Sequence, residues 1–209
     1  MVYEFRTYTV RLGVLADVLE RFGAGYDTRK DIHPLAAFWH TEIGPMNQII
    51  QVWPWDDMAH RERVRGEVNK LSTWPPGLGD AVTHQNVELF NAMPFADKMQ
   101  PGNPGPIYEM RTDQYKPGKV RGLRGEWEKI ISGAGKDLPI QAVMHTDMGA
   151  LNKVVHIWAY ESLVERSDIL AGADAAKIWS TEAIQDAGGP APDMQFAKIM
   201  RASAFSPMQ

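Results

Sequence analysis

Two short segments set an imidazole beside a carboxylate: His40-Thr41-Glu42 and His145-Thr146-Asp147. On an extended strand, residues i and i+2 share a face. Each segment therefore offers a histidine whose basicity a neighbouring carboxylate tunes, the requirement for a general base. Brought together, two imidazoles and two carboxylates would also suit Zn²⁺ or non-haem Fe²⁺. That reading needs the two segments to converge, whereas a pseudo-twofold arrangement can equally hold them apart. A second pattern is Glu4-x-Arg6 and Glu109-x-Arg111, an acid and a guanidinium on one strand face. It can bind an anionic oxygen, or it can form a satisfied salt bridge that fixes packing.

These residues come in pairs because the chain repeats itself. Tyr3-Glu4-Phe5-Arg6-Thr7 returns 105 residues later as Tyr108-Glu109-Met110-Arg111-Thr112. His40, Gly44, Asn47, Trp53, Arg61 and Trp74 return at the same shift as His145, Gly149, Asn152, Trp158, Arg166 and Trp179. A gapless spacing of this length means one unit, duplicated and fused. The Pro/Gly-rich run 99–106 cannot continue a helix or a central strand, so it reads as the linker between units 1–98 and 107–209.

Each unit reads as strand, helix, strand, strand, helix, strand. Val2 to Val10 alternates and is rich in β-formers. Val14, Leu15, Val18, Leu19 and Phe22 recur at helical spacing. Leu35 to Thr41 and Asn47 to Trp55 form a hairpin around Gly44-Pro45. Asp56 or Asp57 caps a charged helix running to Asn69, and Asn86 to Ala92 closes the unit. The second copy repeats this with Glu109–Tyr115, Lys119–Ser132, Gln141–Asp147, Asn152–Tyr160, a mostly helical 161–185 and Gln195–Arg201. This is the α+β ferredoxin-like β-α-β-β-α-β plan, twice. A unit of this kind leaves one sheet face bare, so two four-stranded sheets are expected to pack as a barrel-like sandwich within the chain.

Strand alternation then sorts the chemistry. Glu4, Arg6, Tyr8, His40, Glu42, Asn47 and Trp53 fall on one face, matched by Glu109, Arg111, His145, Asp147, Asn152, His156, Trp158 and Tyr160. Ile50, Val52, Val155 and Ile157 fall on the other and are expected under the helices, with Trp39. The polar face is thus expected to line the space between the sheets as a pocket for a small, partly aromatic or acidic molecule. His40 and His145 are its candidate bases, and Arg6 and Arg111 would bind an anionic oxygen. No metal or cofactor is called for. Arg61 and Arg166 read as exposed or carbonyl-capping residues, and Trp74 and Trp179 as core anchors. Differences between the copies, such as Gln51 against His156 and Tyr8 against Asp113, direct attention to the second copy.

Composition narrows the classes. A formal net charge of −4 gives no basic face for nucleic acid. The absence of cysteine excludes thiolate chemistry and suits a reducing compartment. No apolar run approaches the ~20 residues that span a bilayer, and no leader-like segment is evident, so the expected setting is cytoplasmic. Open edge strands in paired sheets point to a homo-oligomer. No Walker, Rossmann or nucleophile-elbow motif is present.

On these residues the chain resembles the NIPSNAP family of the dimeric α/β-barrel superfamily. The resemblance lies in Tyr3-Glu4-Phe5-Arg6-Thr7-Tyr8, Gly44-Pro45-Met46-Asn47 and Val52-Trp53-Pro54-Trp55, and in their counterparts Gly149-Ala150-Leu151-Asn152 and His156-Ile157-Trp158-Ala159-Tyr160. Pro54 and Asp113 depart from the family pattern. The resemblance implies two ferredoxin-like units forming one barrel, a fold that elsewhere serves cofactor-free monooxygenases, haem-using enzymes and small-molecule lyases. Fold analogy does not choose among these. Two functions follow as expectations. One is a small-molecule pocket, between sheet and helices or between the two sheets, with cofactor-independent oxygenation or isomerisation as its chemistry. The other is a non-catalytic scaffold in which the repeated residues hold the halves together.

Overall fold

The computed structural model describes residues 1–97, 99–176, 185 and 189–209. The first unit comprises β1 (Val2–Val10), α1 (Leu15–Arg29), β2 (Ala37–Ile43), β3 (Gln48–Trp55), α2 (Met58–Val68) and β4 (Val82–Asp97). The second comprises β5 (Ile107–Gln114), α3 (Val120–Ser132), β6 (Ile140–Met148), β7 (Lys153–Tyr160), α4 (Leu163–Ala175) and β8 (Met194–Ala202). The expected order holds in both, and β4 runs longer than the predicted Asn86–Ala92.

Local chemistry accounts for the elements. On α1, Val18, Phe22 and Tyr26 recur every four residues and are buried, as Leu123, Trp127 and Ile131 are on α3. Asp57 caps α2 by accepting from the His60 amide, and Ser162 caps α4 by accepting from Glu165. The β2–β3 and β6–β7 turns put Asn47 and Asn152 in the left-handed region, at φ 56° and 61°. Asparagine tolerates that region better than most residues. Their carbonyls accept from Val10 and Tyr115 at 2.8 and 2.9 Å, tying each turn to the end of β1 or β5.

The strands form one closed antiparallel barrel in the order β1-β3-β2-β8-β5-β7-β6-β4. Each unit contributes four neighbouring strands, β4-β1-β3-β2 and β8-β5-β7-β6. The seams between units are β2 with β8 and β4 with β6. The expected intrachain α/β barrel is therefore present, and it is hydrogen-bonded around its whole circumference. Closure removes the free edges, and with them the edge-strand argument for a homo-oligomer.

Closure also reverses the expected use of the two sheet faces. The barrel interior is filled by Tyr3, Phe5, Trp39, Ile50, Val52, Phe90, Tyr108, Met110, Val155 and Ile157. The helices instead cover the face bearing Tyr8, Trp53 and Trp55 in the first unit, and Trp158 and Tyr160 in the second. An eight-stranded barrel is just wide enough for its inward side chains to fill it, so it favours residues without charge. The sheet–helix seam lies near solvent, where a guanidinium can keep part of itself wet. Among the described residues no helix is long and apolar enough to cross a membrane.

Candidate functional site

A cavity of about 400 Å³ lies in the first unit, outside the barrel wall and beneath the helices. Alternate residues of β1 and β3 form its floor: Glu4, Arg6 and Tyr8, then Gln51, Trp53 and Trp55. Phe22 and Arg29 of α1, Arg65 and Val68 of α2, and the segment Trp74 to Gly79 close it. Trp74 comes close to α1 because residue 25 is glycine. A Cβ there would lie 3.2 Å from the Thr73 carbonyl oxygen and 3.3 Å from the Trp74 ring.

The floor is organised by one buried carboxylate. Glu4 is 1% exposed and receives Arg61 Nε at 2.7 Å, Arg6 Nη1 at 2.7 Å and Trp55 Nε1 at 3.1 Å. Arg65 stands 3.7 Å away. Burial alone would raise the Glu4 pKa, but the hydrogen bonds and charges of Arg61 and Arg6 outweigh it and hold the carboxyl below its ordinary value. Arg6 also donates from Nε to the Tyr8 hydroxyl at 3.0 Å.

Arg29 is different. Only 5% exposed, it lays its guanidinium over Trp53, 3.3 Å from the ring centroid, with Trp74 at 4.6 Å. Among the described residues no carboxylate pairs with it, and its Nε has no hydrogen-bond partner. Burial, with the like charges of Arg6 and Arg65 and against the pull of Glu4, lowers its pKa to about 9, so it stays a cation at neutral pH. Gln51 accepts from the Trp53 indole at 3.3 Å, leaving its own buried Nε2 without a partner. Three arginines thus face the cavity against a single carboxylate that is already engaged.

The structure gathers four of the residues singled out in the first copy, Glu4, Arg6, Tyr8 and Trp53, around this cavity. It does not gather the histidines. His40 on β2 and His145 on β6 occupy strands on opposite sides of the barrel and share its outer face with the polar residues. The converged metal set does not form, and among the described residues no group of three or more His, Asp or Glu could hold a metal ion. Glu42 is exposed and pairs with Arg201 across the seam. Asp147 is exposed, and His145 Nδ1 lies 3.4 Å from the Thr146 carbonyl. Asn47 and Asn152 belong to the turns.

In the second unit, Glu109, Arg111, His156, Trp158 and Tyr160 occupy the matching outer face. Arg166 meets both oxygens of Glu109, with Nε at 3.0 Å, while Tyr160 donates to it at 3.3 Å and Arg111 is 3.9 Å off. The Trp158 indole donates to His156 Nδ1 at 2.6 Å, and His156 Nε2 faces Asp113 at 3.4 Å. At the positions of Phe22, Arg29 and Arg65 stand Trp127, Ala134 and Leu170. The buried Trp127 ring lies 5.1 Å from the ring of His156. The two cavity cations of the first unit have no charged counterpart at these positions, so among the described residues the cationic cavity belongs to the first copy.

The sequence pointed to an exposed or carbonyl-capping role for Arg61 and Arg166, whereas they are the clamps of the two buried glutamates. The signal was present: Glu4 and Arg61 recur together at one shift. Trp74 packs against Phe22 and Trp53 as a core anchor, and Trp179 lies outside the described residues. Trp39 points into the barrel, not toward the helices. Arg29 and Arg65 were missed because neither is repeated.

The NIPSNAP family model matches this chain twice, at residues 3–96 and 108–207. The chain belongs to the NIPSNAP family. It is 32% identical over 174 residues to human NipSnap homolog 3A, covering 79% of this chain and 69% of that protein. To mouse NipSnap homolog 3B it is 31% identical over 189 residues, covering 86% and 72%. Among solved structures, a monooxygenase-like protein of Lactobacillus acidophilus NCFM superposes with a TM-score of 0.64 at 12% identity, covering 97% of this chain and 94% of that one. An anthrone oxidase-like protein superposes at 0.55 and 13%, covering 96% and 90%. These likenesses establish the α/β-barrel fold of this NIPSNAP chain and leave its chemistry to the site.

Proposed function

We propose that this NIPSNAP protein binds a small molecule in the cavity between the barrel wall and helices of its first unit. One observation carries the reading: the cavity is walled by buried polar side chains whose donors, Arg29 Nε and Gln51 Nε2, have no partner among the described residues. Leaving buried donors unpaired costs about 1–3 kcal/mol each, which marks this wall as more polar than packing alone calls for. The volume falls within the range of small-molecule sites. Binding is favoured over turnover because the described lining holds no imidazole and its one carboxylate is clamped by arginine. Cofactor-independent oxygenation or isomerisation needs a group that takes a proton from substrate, and the nearest candidate is the Tyr8 hydroxyl, already bonded to Arg6. The Glu–Arg clamp recurs in the second unit, which marks it as the tie between helix and sheet. The lack of cysteine agrees with a cytoplasmic setting.

A thermal-shift screen with a fragment set tests the proposal, because a ligand that binds only the native state raises Tm. Phe22→Trp, which puts the second unit's residue into the cavity, is expected to abolish the shifts. Fragments that shift wild type and variant alike, or none that shift either, would count against it.

A further inference from the structure

We propose that the occupant of the first-unit cavity is a flat organic anion, an aromatic carboxylate, held by Arg29 with Arg65 and Gln51. The inference rests on the pocket reading above and adds the ligand's charge and shape.

The duplication supplies an internal control. Both units keep the buried glutamate, its clamping arginine and the arginine two residues along: Glu4, Arg61 and Arg6 in one, Glu109, Arg166 and Arg111 in the other. That set suffices to tie helix to sheet. Arg29 and Arg65 are additional, since Ala134 and Leu170 fill their places in a unit of the same fold. A cation buried to 5% exposure with no carboxylate paired to it among the described residues is costly, and the second unit keeps the fold without one at that position.

The geometry around Arg29 specifies what would relieve that cost. Trp53 and Trp74, whose rings stand 81° to one another, flank its guanidinium carbon, and the edge of a guanidinium pairs two N–H groups with a carboxylate. The Gln51 amide adds an unpartnered donor on the same floor, and Arg65 adds a second charge at the wall. Glu4 is held by hydrogen bonds from Arg61 and Arg6, and its link to Arg65, at 3.7 Å, is longer. The rest of the lining is broad and aromatic, with Phe22, Trp55 and Trp74 beside Trp53. Such walls suit an arene stacked against them more than a compact inorganic anion.

Calorimetric titration of the intact chain at pH 7 with 2-naphthoate and its neutral isostere 2-naphthamide tests this. The carboxylate is expected to bind at least tenfold more tightly than the amide. Arg29→Met should remove that preference, and Arg65→Met, on a half-exposed residue whose loss the fold tolerates, should reduce it several-fold. Phe22→Trp should abolish binding of both compounds. Equal binding of carboxylate and amide, lost in Phe22→Trp, would overturn the anion inference and leave the pocket standing. Carboxylate binding unchanged in Arg29→Met and Arg65→Met would overturn it too. Failure of both probes, together with a fragment set that shifts nothing, would remove the pocket and the inference with it.

Discussion

Arg61 of α2 meets the carboxylate of Glu4 on β1 at 2.7 Å across 57 residues of chain, and Arg166 repeats the contact with Glu109. Removing one partner of a buried ion pair strands the other, at a cost of about 3–5 kcal/mol when both are dry. Arg61 is 17% exposed, and Glu4 keeps Arg6 at 2.7 Å, so Arg61→Ala is expected to cost less, about 2 kcal/mol. Arg166→Ala should cost more, because the second arginine near Glu109 is 3.9 Å away. Arg63→Ala, on an exposed residue, should stay within about 0.5 kcal/mol. Urea midpoints of the three variants give the ranking. Arg61→Ala matching Arg63→Ala would show the clamp to be idle.

Asn47 was a candidate ligand residue from its repetition, and the backbone offers a different reason for it. At φ 56° a β-branched residue costs about 1–2 kcal/mol, whereas glycine adopts the conformation freely. Asn47→Val is therefore expected to lower stability by that amount, and Asn47→Gly by a few tenths of a kcal/mol at most. Ligand affinity should not change in the glycine variant. A glycine variant of full stability that lost binding would restore Asn47 to the site.

Acid should act in two stages. His33 stacks on Trp55 at 4.2 Å, and its Nε2 lies 2.6 Å from the Pro54 carbonyl. Burial lowers its pKa; the Pro54 hydrogen bond and Asp56 oppose this, and His60 and Arg29 add to it. The unfolded chain then binds the proton first, so stability is full above the ordinary histidine value of about 6.5 and falls as pH drops below it. His40, also lowered by burial, adds to the same slope. Glu4 acts later. Its depressed pKa contributes stability above the ordinary carboxylate range, and this is lost as pH falls through the folded value. Denaturation between pH 7.5 and 5 should show a decline that His33→Gln reduces and Glu4→Gln leaves in place. A flat profile in wild type would contradict the assignment.

How far the sequence carried the fold and the site depends on the kind of signal each residue leaves. Strand and helix positions were legible because Val14, Val18 and Phe22 keep helical spacing and because Gly44-Pro45 marks a turn. The orientation of the sheet was not legible. Ile50 and Val52 on one face and Trp53 and Trp55 on the other are all apolar, and all are buried. Alternation identifies an inner face only when the outer one is wet. Barrel closure decided the matter, and closure depends on the β2–β8 and β4–β6 seams, which no local pattern encodes. Repetition singled out Glu4 and Arg61 without showing that they meet, and it was blind to Arg29, because a residue present in one copy alone leaves no echo in the other.

The seams make a last prediction about the two units. β2 of the first unit pairs with β8, which is the second unit's counterpart of β4, and β4 pairs with β6, the counterpart of β2. The two seams are therefore equivalent under a pseudo-twofold axis. Residues 1–98 expressed alone would leave both edges open and expose Phe5, Trp39, Ile50, Val52 and Phe90, which fill the barrel interior. Two copies can close a barrel by pairing β2 of each with β4 of the other, burying the same faces. That fragment is thus expected to be a dimer by light scattering. Co-expression with 107–209 should yield a one-to-one complex near the 23.4 kDa of the intact chain, because Trp39 and Tyr108, 5.1 Å apart across the interior, pack as they were selected to. A native-like monomer of 1–98 at tens of micromolar would mean that the first unit covers its inner face in some other way, and that the barrel is not what holds the units as one.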